Sequence, residues 1–131
     1  MNRRILLVED NDTNLDLMSY LLRALGYHVT CAKNGRSGLE CAQTDNFDLV
    51  LTDILMPDVD GYELAKRFKA DEALKRVPVV AVTALAMTGD RDRILAAGFD
   101  GYISKPIDPQ KFGSQIESYL KAHGVGDGPN R

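Results

Sequence analysis

The sequence predicts an α/β domain, with five parallel strands in one sheet doubly wound by five helices. Five short runs of apolar, β-prone residues alternate with stretches whose apolar residues recur at helical spacing. That alternation means parallel strands joined by right-handed crossovers, with helices on both faces. The runs are nearly continuous in hydrophobicity, as strands buried on both faces are. The length of 131 residues, 44% of them apolar, suits one domain with one core. The expected strand order is 2-1-3-4-5, a common doubly wound order.

Taken in order, strand one is expected at 5–8 and ends in Glu9, Asp10, Asn11 and Asp12. Leu15, Met18, Leu22 and Leu25 then fall on one helical face, with Asn11 or Asp12 as cap and Gly26 as left-handed stop. Strand two is expected at 27–32, followed by a turn at Asn34 and Gly35 and a short weak helix over 37–43. The run from Leu49 to Thr52 is strand three, and it ends at Asp53. Pro57 forbids further ladder pairing there, and Asp58, Asp60 and Gly61 form turns. A helix over 62–70 buries Leu64 and Phe68, and strand four, 79–82, ends at Thr83. The helix over 90–97 is apolar mainly at Ile94 and Leu95, and Gly98 ends it. Strand five, 102–104, ends at Lys105 and Pro106. The last helix presents Phe112, Ile116, Tyr119 and Leu120 on one face. The folded domain is expected over 1–123, with 124–131 a tail or the start of a linker.

Composition narrows the function. A net charge of −3 gives no basic footprint for nucleic acid. The longest largely apolar run, 77–87, is broken by Pro78 and too short to span a bilayer, and no signal peptide opens the chain. Neither nucleic acid nor membrane is therefore an expected partner. Cys31 and Cys41 lie outside any CxxC or Cys/His cluster and are expected as reduced core or near-core thiols of a cytoplasmic protein. His28 and His123 are isolated and expected to be structural or solvated.

The chemistry gathers at the strand ends. Strand one ends in Glu9 and Asp10, strand three in Asp53, strand four in Thr83 and strand five in Lys105. In a parallel sheet these ends share one edge, and strands one and three flank the switch point where ligands bind. Three converging carboxylates repel one another unless a hard divalent cation compensates them. Mg²⁺ suits the place, because it takes a few oxygen ligands and often completes its shell with a phosphate. Lys105 supplies a positive charge for phosphate oxygens and Thr83 a hydroxyl donor. A carboxylate nucleophile, a metal, a lysine and a hydroxyl make a site for phosphoryl transfer onto a side chain. Each residue also has a plainer reading: Asp53 as strand punctuation, Glu9 and Asp10 as helix caps, Thr83 as a strand residue, Lys105 as a loop lysine. The plainer readings must all hold at once to dismiss the site.

The segments Val8-Glu9-Asp10-Asn11, Asp53-Ile54-Leu55-Met56-Pro57-Asp58-Val59-Asp60-Gly61, Val82-Thr83-Ala84 and Ser104-Lys105-Pro106, at these intervals, resemble the receiver domain of two-component response regulators. The resemblance runs from Ile5 to about Leu120. It implies a flavodoxin-like fold and a phosphorelay switch, with no multiple-turnover activity on an external substrate. In that family's terms Asp53 is the phosphoacceptor. Glu9, Asp10, Asp53 and the backbone carbonyl of Leu55 hold Mg²⁺, and Thr83 and Lys105 contact the phosphoryl group. Thr83 and Tyr102 switch, while Met56, Pro57 and Pro106 shape the loops. The implied partners are a sensor histidine kinase or histidine phosphotransfer protein, and a downstream target on the face of the fourth helix, fifth strand and fifth helix. A single-domain member is the expectation, although a receiver excised from a hybrid kinase would read the same.

Two positions depart from many relatives. Leu55 and Leu85, two residues past Asp53 and Thr83, stand where polar side chains are common, which suggests a tuned phosphorylated-state lifetime. Among rival readings, a haloacid-dehalogenase-type phosphatase wants DxDx(T/V) after strand one, but Asn14 takes the last place and the Asp53 loop stays unexplained. A flavodoxin-like FMN carrier would meet repulsion from Glu9 to Asp12. A calcium loop fails because Leu15 stands where Gly is required.

Overall fold

The computed structural model describes residues 3–56, 59–84 and 88–122. Pro57, Leu85, His123 and the 124–131 tail lie outside the described residues. The elements are β1 (Arg4–Val8), α1 (Asp12–Ala24), β2 (His28–Ala32), α2 (Gly35–Thr44), β3 (Leu49–Thr52), α3 (Gly61–Ala70), β4 (Val79–Thr83), α4 (Thr88–Ala96), β5 (Gly101–Ser104) and α5 (Pro109–Ala122). All strand pairs are parallel, in the order β2-β1-β3-β4-β5. The register sets Val8 beside Thr52, Thr52 beside Ala81 and Thr83 beside Ser104, so the carboxyl ends of the central strands come out on one edge.

Alternation along each strand divides the core in two. Leu6, Val8, Val50 and Ala81 face α2, α3 and α4, where they meet Ala42, Leu64, Phe68 and Ile94. Ile5, Leu7, Leu49, Leu51, Val80 and Val82 face α1 and α5, where they meet Leu15, Met18, Leu22, Phe112, Ile116 and Leu120. The central strands β1, β3 and β4 are buried on both sides, which is why they read as unbroken apolar runs.

Side chains fix where the helices begin. Asn11 caps α1 by accepting from Asn14 N–H at 2.9 Å, Asn34 caps α2 through Ser37 N–H at 2.8 Å, and Asp60 caps α3 through Glu63 N–H at 2.9 Å. Gly26 and Gly98 follow α1 and α4 at φ +93° and +107°, the left-handed conformation that glycine adopts without strain.

The structure corrects several expectations. Helix α2 starts at Gly35, so Asn34 and Gly35 are its cap and first residue, not a free turn. Leu25, expected on the buried face of the first helix, caps α1 and is 54% exposed. Leu95 is 52% exposed, which leaves Ile94 as the buried apolar residue of α4. Cys31 is exposed on the outer strand β2, while Cys41 is half-buried against the core, and both are free thiols. Among the described residues no helix is long and apolar enough to cross a membrane.

Candidate functional site

Three strand ends bring the predicted residues together. Asp53 follows β3, and its N–H bonds the Val8 carbonyl at 3.0 Å. Glu9 follows β1, and its N–H bonds the Ala32 carbonyl at 3.0 Å. Lys105 follows β5, and its N–H bonds the Thr83 carbonyl at 2.9 Å. Each functional side chain is thus held by a ladder extended one residue past its strand.

Lys105 is the hub. Its Nζ lies 3.0 Å from Asp53 Oδ2 and 2.9 Å from Glu9 Oε1, so one ammonium joins two carboxylates that would otherwise repel. Its contact with Asp53 is an aligned hydrogen bond. Its contact with Glu9 Oε1 is a close ion pair, and among the described residues no other group donates to that buried oxygen. Glu9 Oε2 accepts from Asn11 N–H at 3.2 Å. Asp53 Oδ1 accepts from Ile54 N–H at 2.7 Å and, more weakly, from Leu55 N–H at 3.4 Å.

Burial sets the electrostatics. Glu9 is fully buried, and loss of solvation pushes its carboxyl pKa up, aided by the nearby charge of Asp53 and opposed by Lys105. For Lys105, burial works to lower the pKa, but Glu9 and Asp53 outweigh it, so the ammonium is held in its charged form. Thr83 is buried at the end of β4 and Asp10 is exposed.

The residues fit a divalent cation. Ligand atoms of Glu9, Asp10 and Asp53 lie within 4.8 Å of one another. Three carboxylates against one ammonium leave an excess of negative charge. Glu9 Oε1 is a buried oxygen 2.9 Å from the Lys105 ammonium, and its second lone pair is open to a further cation. An all-oxygen, charge-rich set with Asp10 exposed to solvent is the donor chemistry Mg²⁺ prefers.

The loop after β3 is shaped by close approach. Gly61 N–H bonds the Ile54 carbonyl at 2.9 Å, and a Cβ on Gly61 would lie 2.4 Å from the Asp53 carbonyl oxygen. Only glycine lets the start of α3 close against the end of β3. Met56 is buried beside this loop, whereas Leu55 is 63% exposed. The Lys105–Pro106 peptide bond is cis. Tyr102 is half-buried on β5, its ring 5.6 Å from the Arg91 guanidinium. Sequence reasoning missed two things. One was the pairing of Lys105 with Glu9, which only tertiary placement reveals. The other was the hydroxyl of Tyr119, which reads in sequence as one more apolar residue of α5.

The model of the response regulator receiver domain matches residues 5–117. The polar-differentiation response regulator DivK of Brucella ovis is 43% identical over 120 residues, covering 92% of this chain and 98% of that protein. Among solved structures, the receiver domain of the sensor histidine kinase PA1611 from Pseudomonas aeruginosa, with a magnesium ion coordinated in its active site cleft, is 35% identical. Its TM-score is 0.84, and the match covers 92% of this chain and 99% of that one. A CheY-like receiver domain protein from Methanospirillum hungatei gives a TM-score of 0.85 at 30% identity, covering 95% of this chain and 98% of that one. The family match takes in both Asp10 and the Asp53 loop, and the phosphatase alternative finds no support. The chain belongs to the response regulator receiver domain family, the phosphorylation-activated switches of two-component signalling.

Proposed function

We propose that Asp53 is the phosphoacceptor, served by Glu9, Asp10, Thr83 and Lys105. The observation that carries this is the Lys105 ammonium, joined at 3.0 Å and 2.9 Å to the carboxylates of Asp53 and Glu9 at the shared edge of the central strands. The donor is a phosphohistidine on a sensor histidine kinase or a histidine phosphotransfer protein. Its N–P bond breaks as an Asp53 O–P bond forms, and the leaving imidazole nitrogen keeps the electron pair. Glu9, Asp10, Asp53 and the Leu55 carbonyl would hold Mg²⁺, which when bound neutralises charge between carboxylate and phosphoryl group. Lys105 keeps its charge beside Asp53 and turns to the incoming phosphoryl oxygens. The Thr83 hydroxyl donates to the same group.

The product is a mixed anhydride carrying a dianionic group, and its charge favours whichever arrangement brings Thr83 within reach. Tyr102 changes position with Thr83, and the face of α4, β5 and α5 is altered for a downstream target. The chain acts as a cytoplasmic switch rather than as an enzyme with an external substrate, and neither nucleic acid nor membrane is a direct partner. Phosphorylation by acetyl phosphate, followed by intact-mass measurement, tests the metal requirement. Labelling is expected in Mg²⁺ buffer and near-complete loss in excess EDTA; equal labelling in both contradicts the proposed metal role.

A further inference from the structure

Among the described residues, strand β5 is the last in the sheet, with β4 on one side and no strand on the other. A strand so placed turns bare N–H and C=O groups outward. At Tyr102 both groups meet one side-chain atom of α5. The Tyr119 hydroxyl accepts from Tyr102 N–H at 3.1 Å and donates to the Tyr102 carbonyl at 3.0 Å. A phenol hydroxyl has one proton to donate and lone pairs to accept with, so a single oxygen satisfies both. The neighbouring residue permits this approach. A Cβ on Gly101 would lie 2.2 Å from Tyr119 Cε1 and 2.5 Å from Cζ and Oη. The ring of Tyr102 is held separately, by Arg91 of α4. Burial raises the Tyr119 pKa, so the hydroxyl keeps its proton, and its donor role, at neutral pH.

We propose that Tyr119 is a positioning residue for the switch: by bonding both backbone groups of Tyr102, it fixes β5 to α5, so that only the Tyr102 ring and α4 move on phosphorylation. This rests on Tyr102 being the switching aromatic. The output face then has a fixed half, α5 with the β5 backbone, and a moving half, α4 with the ring. The two halves divide at one residue, whose backbone belongs to the first and whose side chain belongs to the second.

Tyr119→Phe keeps the ring over Gly101 and removes both hydrogen bonds. The test is amide hydrogen exchange and chemical-shift mapping by NMR on the full chain, with Mg²⁺ and the phosphoryl mimic beryllofluoride. In the wild type the Tyr102 amide should stay protected with and without the mimic while its ring signals shift. In Tyr119→Phe that amide should exchange roughly tenfold faster or more, the amides of β1 and β3 should keep their rates, and the mimic's shifts should spread along the 101–104 backbone. Gly101→Ala, which displaces the Tyr119 ring from the strand, should give the same local change. An unchanged Tyr102 amide in both variants, or acceleration shared equally by β1 and β3, overturns the proposal while leaving the switch intact. A wild-type Tyr102 ring that ignores beryllofluoride overturns the switch reading, and this inference with it.

Discussion

Charge at single residues sets what the cleft can do. Lys105 holds Asp53 and Glu9 together, yet three carboxylates remain underbalanced, and that imbalance is the physical reason to expect a cation. We propose that Leu55 bears on the lifetime of the phosphorylated state. It is exposed two residues past Asp53 and can neither donate nor accept a hydrogen bond through its side chain, so it cannot align a water on the aspartyl phosphate. Leu55→Asn is therefore expected to speed decay of the phosphorylated protein in Mg²⁺ buffer about tenfold, and more in combination with Leu85→Glu. Equal decay in wild type and both variants would show that lifetime is set elsewhere. Tyr62 makes a stability prediction. Among the described residues its buried hydroxyl has no hydrogen-bond partner, although its ring packs edge-on against Phe99 at 6.1 Å. Removing an unsatisfied buried group relieves a desolvation cost, so Tyr62→Phe should raise stability by about 1 kcal/mol. That appears as a higher urea midpoint at unchanged slope, and a lowered midpoint contradicts it. The identities of the site residues were legible because each follows an apolar run. Their contacts were not, since the joining of Lys105 to Glu9 depends on how two strands 96 positions apart come to rest.

At the scale of elements, α4 stands apart from the other helices. Helices α1, α3 and α5 bury three apolar residues each, whereas α4 buries Ile94 and leaves Leu95 exposed. Two guanidinium–ring contacts supplement that thin attachment. Arg93 lies 5.5 Å from the ring of Tyr62 on α3, and Arg91 lies 5.6 Å from the ring of Tyr102 on β5. Exposed contacts of this kind are worth about 0.5–1 kcal/mol, so α4 is fastened by interactions weak enough to exchange. Arg93→Ala should loosen α4 selectively. Its amides should exchange several-fold faster while those of α1 and α5 are unchanged, and uniform exchange across all helices would contradict selective fastening. The weak apolar pattern of this helix was visible in the sequence, and its boundaries were the least well placed, two residues late at the start. Strong stripes such as Phe112, Ile116 and Leu120 were placed correctly because burial enforces them. Helix α2 began earlier than expected because the Asn34 cap lets a helix start at Gly35, where local turn chemistry alone reads as a loop.

The whole molecule is a sheet between two helical layers, and its function follows from parallel strands sharing one edge. Strand count, direction and the position of the crevice could all be inferred from alternating periodicity and from what ends each run. The outward placement of Cys31 and Leu25 could not, because neither edge position nor cap geometry leaves a hydrophobic signature. The two core layers hold the carboxyl ends of β1, β3 and β5 in fixed register, and this is what turns separate residues into one site. The central claim is that this edge directs a phosphoryl group to Asp53 alone. The direct measurement is mass spectrometry of the protein after incubation with acetyl phosphate and Mg²⁺, for wild type and Asp53→Asn. One added phosphoryl group on wild type, mapped to Asp53, and none on the variant is the predicted result. Full labelling of Asp53→Asn, or a label mapped to Asp10 or Glu9 in the wild type, would contradict it.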